Sequence, residues 1–213
     1  MAEEVGGLTS PDDSSASAVA STSVTTVLKL KSWHVATAAE AFVAAQFARF
    51  GYDVSVQYGA NQPEYDLMIA DGERMLKVSV KGSQDGGWGL SQSQLSKIKK
   101  ADYHGAAERW LERHRPMTAL CLVQFQGVPD DQLPRAYLAW PREIADRLKS
   151  ASGGRGDTIL WEDYLRGPRA AGAGMRETLP TGWKLTRGRV EAMLRRPANS
   201  AEALRSPDHG SEV

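Results

Sequence analysis

A short stretch of the chain, from Glu64-Tyr65-Asp66 to Ser79-Val80-Lys81, holds the residue types that could bind a cation and a phosphate together. Period-two alternation puts Glu64 and Asp66 on one face of a first strand, and Ser79 and Lys81 on one face of a second. The intervening Asp71-Gly72-Glu73-Arg74 carries an Asp-Gly hairpin signal that folds the two polar ends together. Upstream, Glu40 precedes Val43, Ala44 and Phe47 by three, four and seven residues. On a helix its carboxylate therefore shares the apolar, sheet-facing stripe. A carboxylate there is costly unless it is paired, hydrogen-bonded or bound to a metal. Convergence of Glu40, Asp66 and Lys81 at one end of a sheet meets that requirement in either of two ways. It makes a centre for handling metal and phosphate, or a plain salt bridge between Glu40 and Lys81.

A helix bearing a Glu, then a strand, then an Asp-opened hairpin ending in x-Lys resembles the PD-(D/E)XK nuclease superfamily, the restriction-endonuclease-like fold. The matching positions are Glu40, Asp66, Ser79 and Lys81, and the resemblance covers residues 35–125, about half the chain. Tyr65 replaces the proline of that pattern, which makes no ligand. Ser79 stands where the family has Glu or Asp, and occasionally Gln, and a neutral hydroxyl is a poor ligand for Mg²⁺. The resemblance implies a Mg²⁺-dependent nuclease-like protein hydrolysing phosphodiester bonds in DNA. Asp66, Glu40 and the Val80 carbonyl would hold Mg²⁺, or Mn²⁺ in its place, with Glu64 partly replacing the missing carboxylate. Lys81 would orient the attacking water or stabilise developing charge. Ser79 also supports another expectation, a catalytically inactive domain of the same fold that binds nucleic acid or a partner protein. Nucleases of this fold that cut both strands often act as dimers, which makes a homodimer an expectation as well.

The elements that must position these residues follow from periodicity. Residues 35–50 read as a helix with Ala39, Val43, Phe47 and Phe50 on one side and Gly51 at its end. Strands are expected at 52–58, 65–70 and 75–81, followed by a Gly-rich loop over 82–89. A helix over 91–115 is stopped by Pro116, strands follow at 118–125 and 135–140, and Pro141 opens a helix over 142–149. That order predicts an α/β fold, a mixed central sheet flanked by helices. The expected divisions are a Ser-rich, acidic, disordered tail at 1–26, the α/β domain at 27–165, a basic extension at 166–196 and a second disordered tail at 197–213.

With 26 Lys+Arg against 26 Asp+Glu, the chain is not basic overall, so any contact with DNA must come from a local patch. Trp88 in the Gly-rich loop, the Lys97, Lys99 and Lys100 cluster, and Arg187 and Arg189 are the expected nucleic-acid contacts. Between 166 and 196, eight basic residues meet only Glu177 and Glu191. The single cysteine, Cys121, sits in an apolar run and forms no internal disulfide. The four histidines show no ligand spacing, and phosphate-loop, dinucleotide and nucleophile-elbow motifs are absent, so no nucleotide cofactor is expected. No membrane-length apolar run or signal peptide is read, and a cytoplasmic location is the expectation.

Overall fold

The structure is a computed structural model that describes residues 29–57, 64–95 and 101–195. The expected tails and Lys97, Lys99 and Lys100 lie outside the described residues. The first helix, α1 (Ser32–Arg49), buries Val35, Ala39, Val43 and Phe47 at four-residue spacing. Complete burial of a side chain such as Phe47 stabilises by about 1.5–3 kcal/mol. The helix ends in a Schellman motif, in which the Gly51 and Tyr52 N–H groups donate to the carbonyls of Ala48 and Phe47. Gly51 adopts the positive φ of 88° that this turn needs.

A five-stranded sheet follows, in the order β1 (Asp53–Val56), β2 (Leu67–Asp71), β3 (Arg74–Ser83), β5 (Thr118–Gln124) and β6 (Arg135–Ala139). β4 (Gly87–Gly89) lies outside this sheet and pairs with β7 (Ile159–Trp161). β2 and β3 form the expected hairpin, with Asp71 opposite Arg74. Gly72 takes a φ of 61° at the first loop position, as a two-residue type II′ turn requires. Only the β3–β5 pair is parallel within this sheet, and every residue of β5 is buried. The fold is therefore α/β with a mixed sheet, compatible with a restriction-endonuclease-like architecture.

Two cores sandwich the sheet. On one face α1 and α4 (Arg187–Leu194) pack with Leu67, Ile69, Val78 and Val80. On the other, α2 (Tyr103–Glu112) and α3 (Pro141–Ser150) pack with Leu120, Leu122, Leu160 and Trp88. Residues 166–196, expected as an appended extension, instead supply Val190, Met193 and Leu194 to the first core and Leu179 and Trp183 to the second. They also carry β9 (Arg176–Thr178), which pairs with β8 (Asp163–Leu165) just before them.

The helix expected over 91–115 is shorter. A 3₁₀ turn at Gln92–Gln94 precedes it, and α2 starts only at Tyr103. Asp102 sets that start, because its carboxylate accepts from the Gly105 N–H at 2.8 Å, the preferred end-cap arrangement. Among the described residues no helix is long and apolar enough to cross a membrane.

Candidate active site

The β2–β3 ladder runs out at Leu67 opposite Val78, and this is where the site begins. One residue earlier on the β2 side, Asp66 still donates its main-chain N–H to the Val78 carbonyl at 3.0 Å. Its carboxylate then takes over from the ladder: Oδ2 accepts the Val80 N–H at 2.6 Å and the Ser79 hydroxyl at 3.3 Å. Charge-assisted bonds of this kind are shorter and stronger than neutral ones. The residue at the second acidic position of the resembled motif thus acts as a hydrogen-bond donor to the first.

Lys81 lies two residues further along β3 and is exposed. Glu40, on α1, is half-buried at the border of the helix's buried stripe rather than within it. Burial first, and the Asp66 charge second, raise the Glu40 carboxyl above its ordinary range, while the Lys81 ammonium pulls it partly back. Asp66 and Lys81 therefore both lie within electrostatic reach of Glu40.

Gly82 lets α1 come close enough for this. A Cβ at that position would stand 2.8 Å from the Val35 carbonyl and 3.0 Å from the Ala39 Cβ. The segment beyond Lys81 is ordered by its own hydrogen bonds. Ser83 Oγ donates to the Gly87 carbonyl at 2.6 Å. The Gln84 amide donates to the Leu30 carbonyl at 2.7 Å and accepts from the Leu30 N–H at 3.0 Å. An open cleft of about 280 Å³ beside Lys81 is lined by Ser32, Val35, Gly82, Gln84, Asp85 and Trp88, among others.

Several expected residues are placed elsewhere. Glu64 is held by Arg115, accepting its main-chain N–H and facing its Nε at 3.3 Å, so nothing supports its standing in for a carboxylate beside Asp66. Trp88 is corrected from a stacking surface to a core residue. It is only 3% exposed, and its Nε1 donates to the Lys81 carbonyl at 2.9 Å. Pairing of β4 with β7 holds it there, and no local pattern around Trp88 reveals that partner.

The basic surface is likewise reduced. Arg189 binds the Leu138 carbonyl and Glu143, and Arg187 pairs with Glu191. Arg166 is nearly buried between Asp157 and Glu177. Arg176 meets Asp163, and Arg195 meets Glu191. Three of these acidic partners, Glu143, Asp157 and Asp163, lie outside 166–196, which is why the local charge sum overstated the patch. His104 and His114 hydrogen-bond the Gly154 and Trp110 carbonyls, as structural histidines do. Burial pushes the Cys121 thiol up and leaves it an inert core residue.

The chain is similar to UPF0102 proteins. One, from Alkalilimnicola ehrlichii, is 34% identical over 80 residues, covering 36% of this chain and 64% of that protein. Another, from Dehalococcoides mccartyi, is 26% identical over 114 residues, covering 52% of this chain and 87% of that protein. The chain thus spans somewhat under two thirds of the first UPF0102 relative. No family model matches the chain, and no solved structure matches it.

As for metal ligands, among the described residues no three His, Cys, Asp or Glu side chains converge. The oxygen donors available around Lys81 are the Asp66 and Glu40 carboxylates, the second of which feels the charge of the first, and main-chain carbonyls of β3.

Proposed function

We propose that this protein is a metal-dependent, nuclease-like phosphodiester hydrolase acting on DNA, with Asp66, Glu40 and Lys81 as its working groups. What supports the reading is that Asp66 on the strand side and the exposed Lys81 on β3 both act on the Glu40 carboxyl of α1, while Val80 and Ser79 fix the Asp66 carboxylate.

The donor set fits Mg²⁺ in its usual mode. That ion is generally held by one or two carboxylates plus substrate phosphate and retained waters, rather than by a full protein cage. Glu40, raised in part by the Asp66 charge, is the kind of group a cation relieves. Asp66, Glu40 and the Val80 carbonyl would hold Mg²⁺ or Mn²⁺, and the chemistry supplied there is a polarised phosphoryl oxygen and a water of lowered pKa. The protein's own residues do the rest. Ser79 and the Val80 N–H fix the Asp66 carboxylate through Oδ2, and Lys81 offers its ammonium to the charge that develops on the phosphate. Trp88 fixes the main chain at Lys81 by its bond to the Lys81 carbonyl.

Ser79 favours a second reading, a domain that binds nucleic acid or a partner protein without cleaving. One experiment separates the two. The full chain is incubated with duplex and single-stranded DNA in Mg²⁺ or Mn²⁺, beside Lys81→Met and Ser79→Glu. Metal-dependent cleavage lost in Lys81→Met supports the hydrolase. Cleavage that survives Lys81→Met removes this site. DNA binding without cleavage in the parent, with cleavage gained in Ser79→Glu, selects the second reading.

A further inference from the structure

Trp33 is 61% exposed on the first turn of α1, whereas Trp88, Trp110, Trp140 and Trp183 are buried and Trp161 is half-buried. An isolated exposed apolar residue needs no explanation in itself. The position of this one does. Trp33 and Glu40 are seven residues apart on a continuous helix, so they lie on the same flank, about 10 Å apart along the axis. The residues between them on that flank, Ala36 and Thr37, are exposed and short, so no long side chain rises between the indole and the Glu40 carboxylate. The indole is also held in place. Its ring packs against His34 with centroids 3.6 Å apart, and the paired Gln84–Leu30 hydrogen bonds anchor the entry to the helix.

Resting on the phosphodiester reading above, we propose that Trp33 is a stacking platform for an unpaired nucleobase, so that the site takes single-stranded or locally opened nucleic acid. A strand with one phosphate at Glu40, Asp66 and Lys81 would pass along the Ala36–Thr37 track and lay a neighbouring base on the indole. Bases inside an intact duplex have no free face to offer, whereas every unpaired base has one. This assigns the substrate form from the helix flank rather than from the reacting groups.

The test is binding of oligo(dT), and of an abasic strand of equal length, at low salt by the parent, Trp33→Ala, Trp33→Phe and Lys81→Met. Both positions are exposed, so none of these substitutions should disturb the core. Binding of oligo(dT) should quench the indole emission of the parent. It should weaken by about tenfold in Trp33→Ala and little in Trp33→Phe, as loss of one base–aromatic stack demands. The abasic strand should bind the parent and Trp33→Ala alike. Equal oligo(dT) affinity in the parent and Trp33→Ala, with weakened binding in Lys81→Met, overturns the stacking inference alone. Binding indifferent to Lys81 overturns the site reading beneath it, and no oligo(dT) binding by the parent overturns both.

Discussion

Asp66 completes a strand ladder and, in the proposed site, also supplies a carboxylate. Substituting it by Ala and by Asn separates those roles. In Asp66→Ala the Val80 N–H, on a residue only 5% exposed, loses its 2.6 Å acceptor just where the β2 ladder has ended. A buried donor left unpaired costs about 1–3 kcal/mol. Taking about 2 kcal/mol, and about 2–4 °C per kcal/mol for a chain of this size, Asp66→Ala should lower Tm by about 4–8 °C. In Asp66→Asn the amide oxygen still accepts from Val80, and only the charge-assisted part of the bond is lost. The cost then falls to about 1 kcal/mol, or about 2–4 °C. Mg²⁺ titration by calorimetry should nonetheless give no saturating heat in either variant, because the anionic oxygen is gone from both. Any of three results would refute this: Asn destabilising as much as Ala, an unchanged Tm in Ala, or the parent's metal heat persisting in Asp66→Asn.

Two further outcomes follow from the packing around the site and beyond it. Gly82→Ala would press a Cβ against the Val35 carbonyl, a backbone atom that cannot swing away. It should cost about 1–3 kcal/mol in urea unfolding, with α1 displaced from β3 and Lys81-dependent activity reduced beyond what the stability loss explains. Glu177 anchors Arg166, Arg147 and the Ser152 N–H in a nearly buried network. Burial alone would raise its carboxyl, but the Arg166 hydrogen bonds, the Ser152 N–H and the two arginine charges more than reverse this, leaving it below the ordinary range. A depressed carboxyl contributes stability that is present above its unfolded pKa and lost as pH falls through the folded one. Glu177→Gln should therefore cost about 3 kcal/mol at neutral pH, and its gap from the parent should close as acid takes the pH below the ordinary carboxylate range in thermal melts. A gap that is constant with pH would contradict that account.

Much of the framework is legible in local pattern. The four-residue spacing of Val35, Ala39, Val43 and Phe47, the glycine at 51, the Asp-Gly turn and the apolar 118–124 run are each decided within a few residues, because helix faces, turns and buried strands have short periods. The hairpin then sets Asp66 opposite Ser79 by counting alone. Periodicity likewise sets Glu40 at the edge of α1's apolar stripe, whereas its approach to Asp66 and Lys81 depends on how closely α1 packs on β3 at Gly82.

What the sequence could not determine depended on partners far away along the chain. Trp88 reads as a loop aromatic until β7, about seventy residues later, pairs with its strand and buries it. Arg189 reads as a free cation until Glu143 and the Leu138 carbonyl take it up, and Glu64 reads as a spare carboxylate until Arg115 binds it. Residues 166–196 read as an extension because their apolar positions are sparse, yet α4 closes the first core over β3. Local periodicity sets which face a side chain takes. Which charge is left free to act on a substrate depends on long-range neutralisation, and only the tertiary structure decides that.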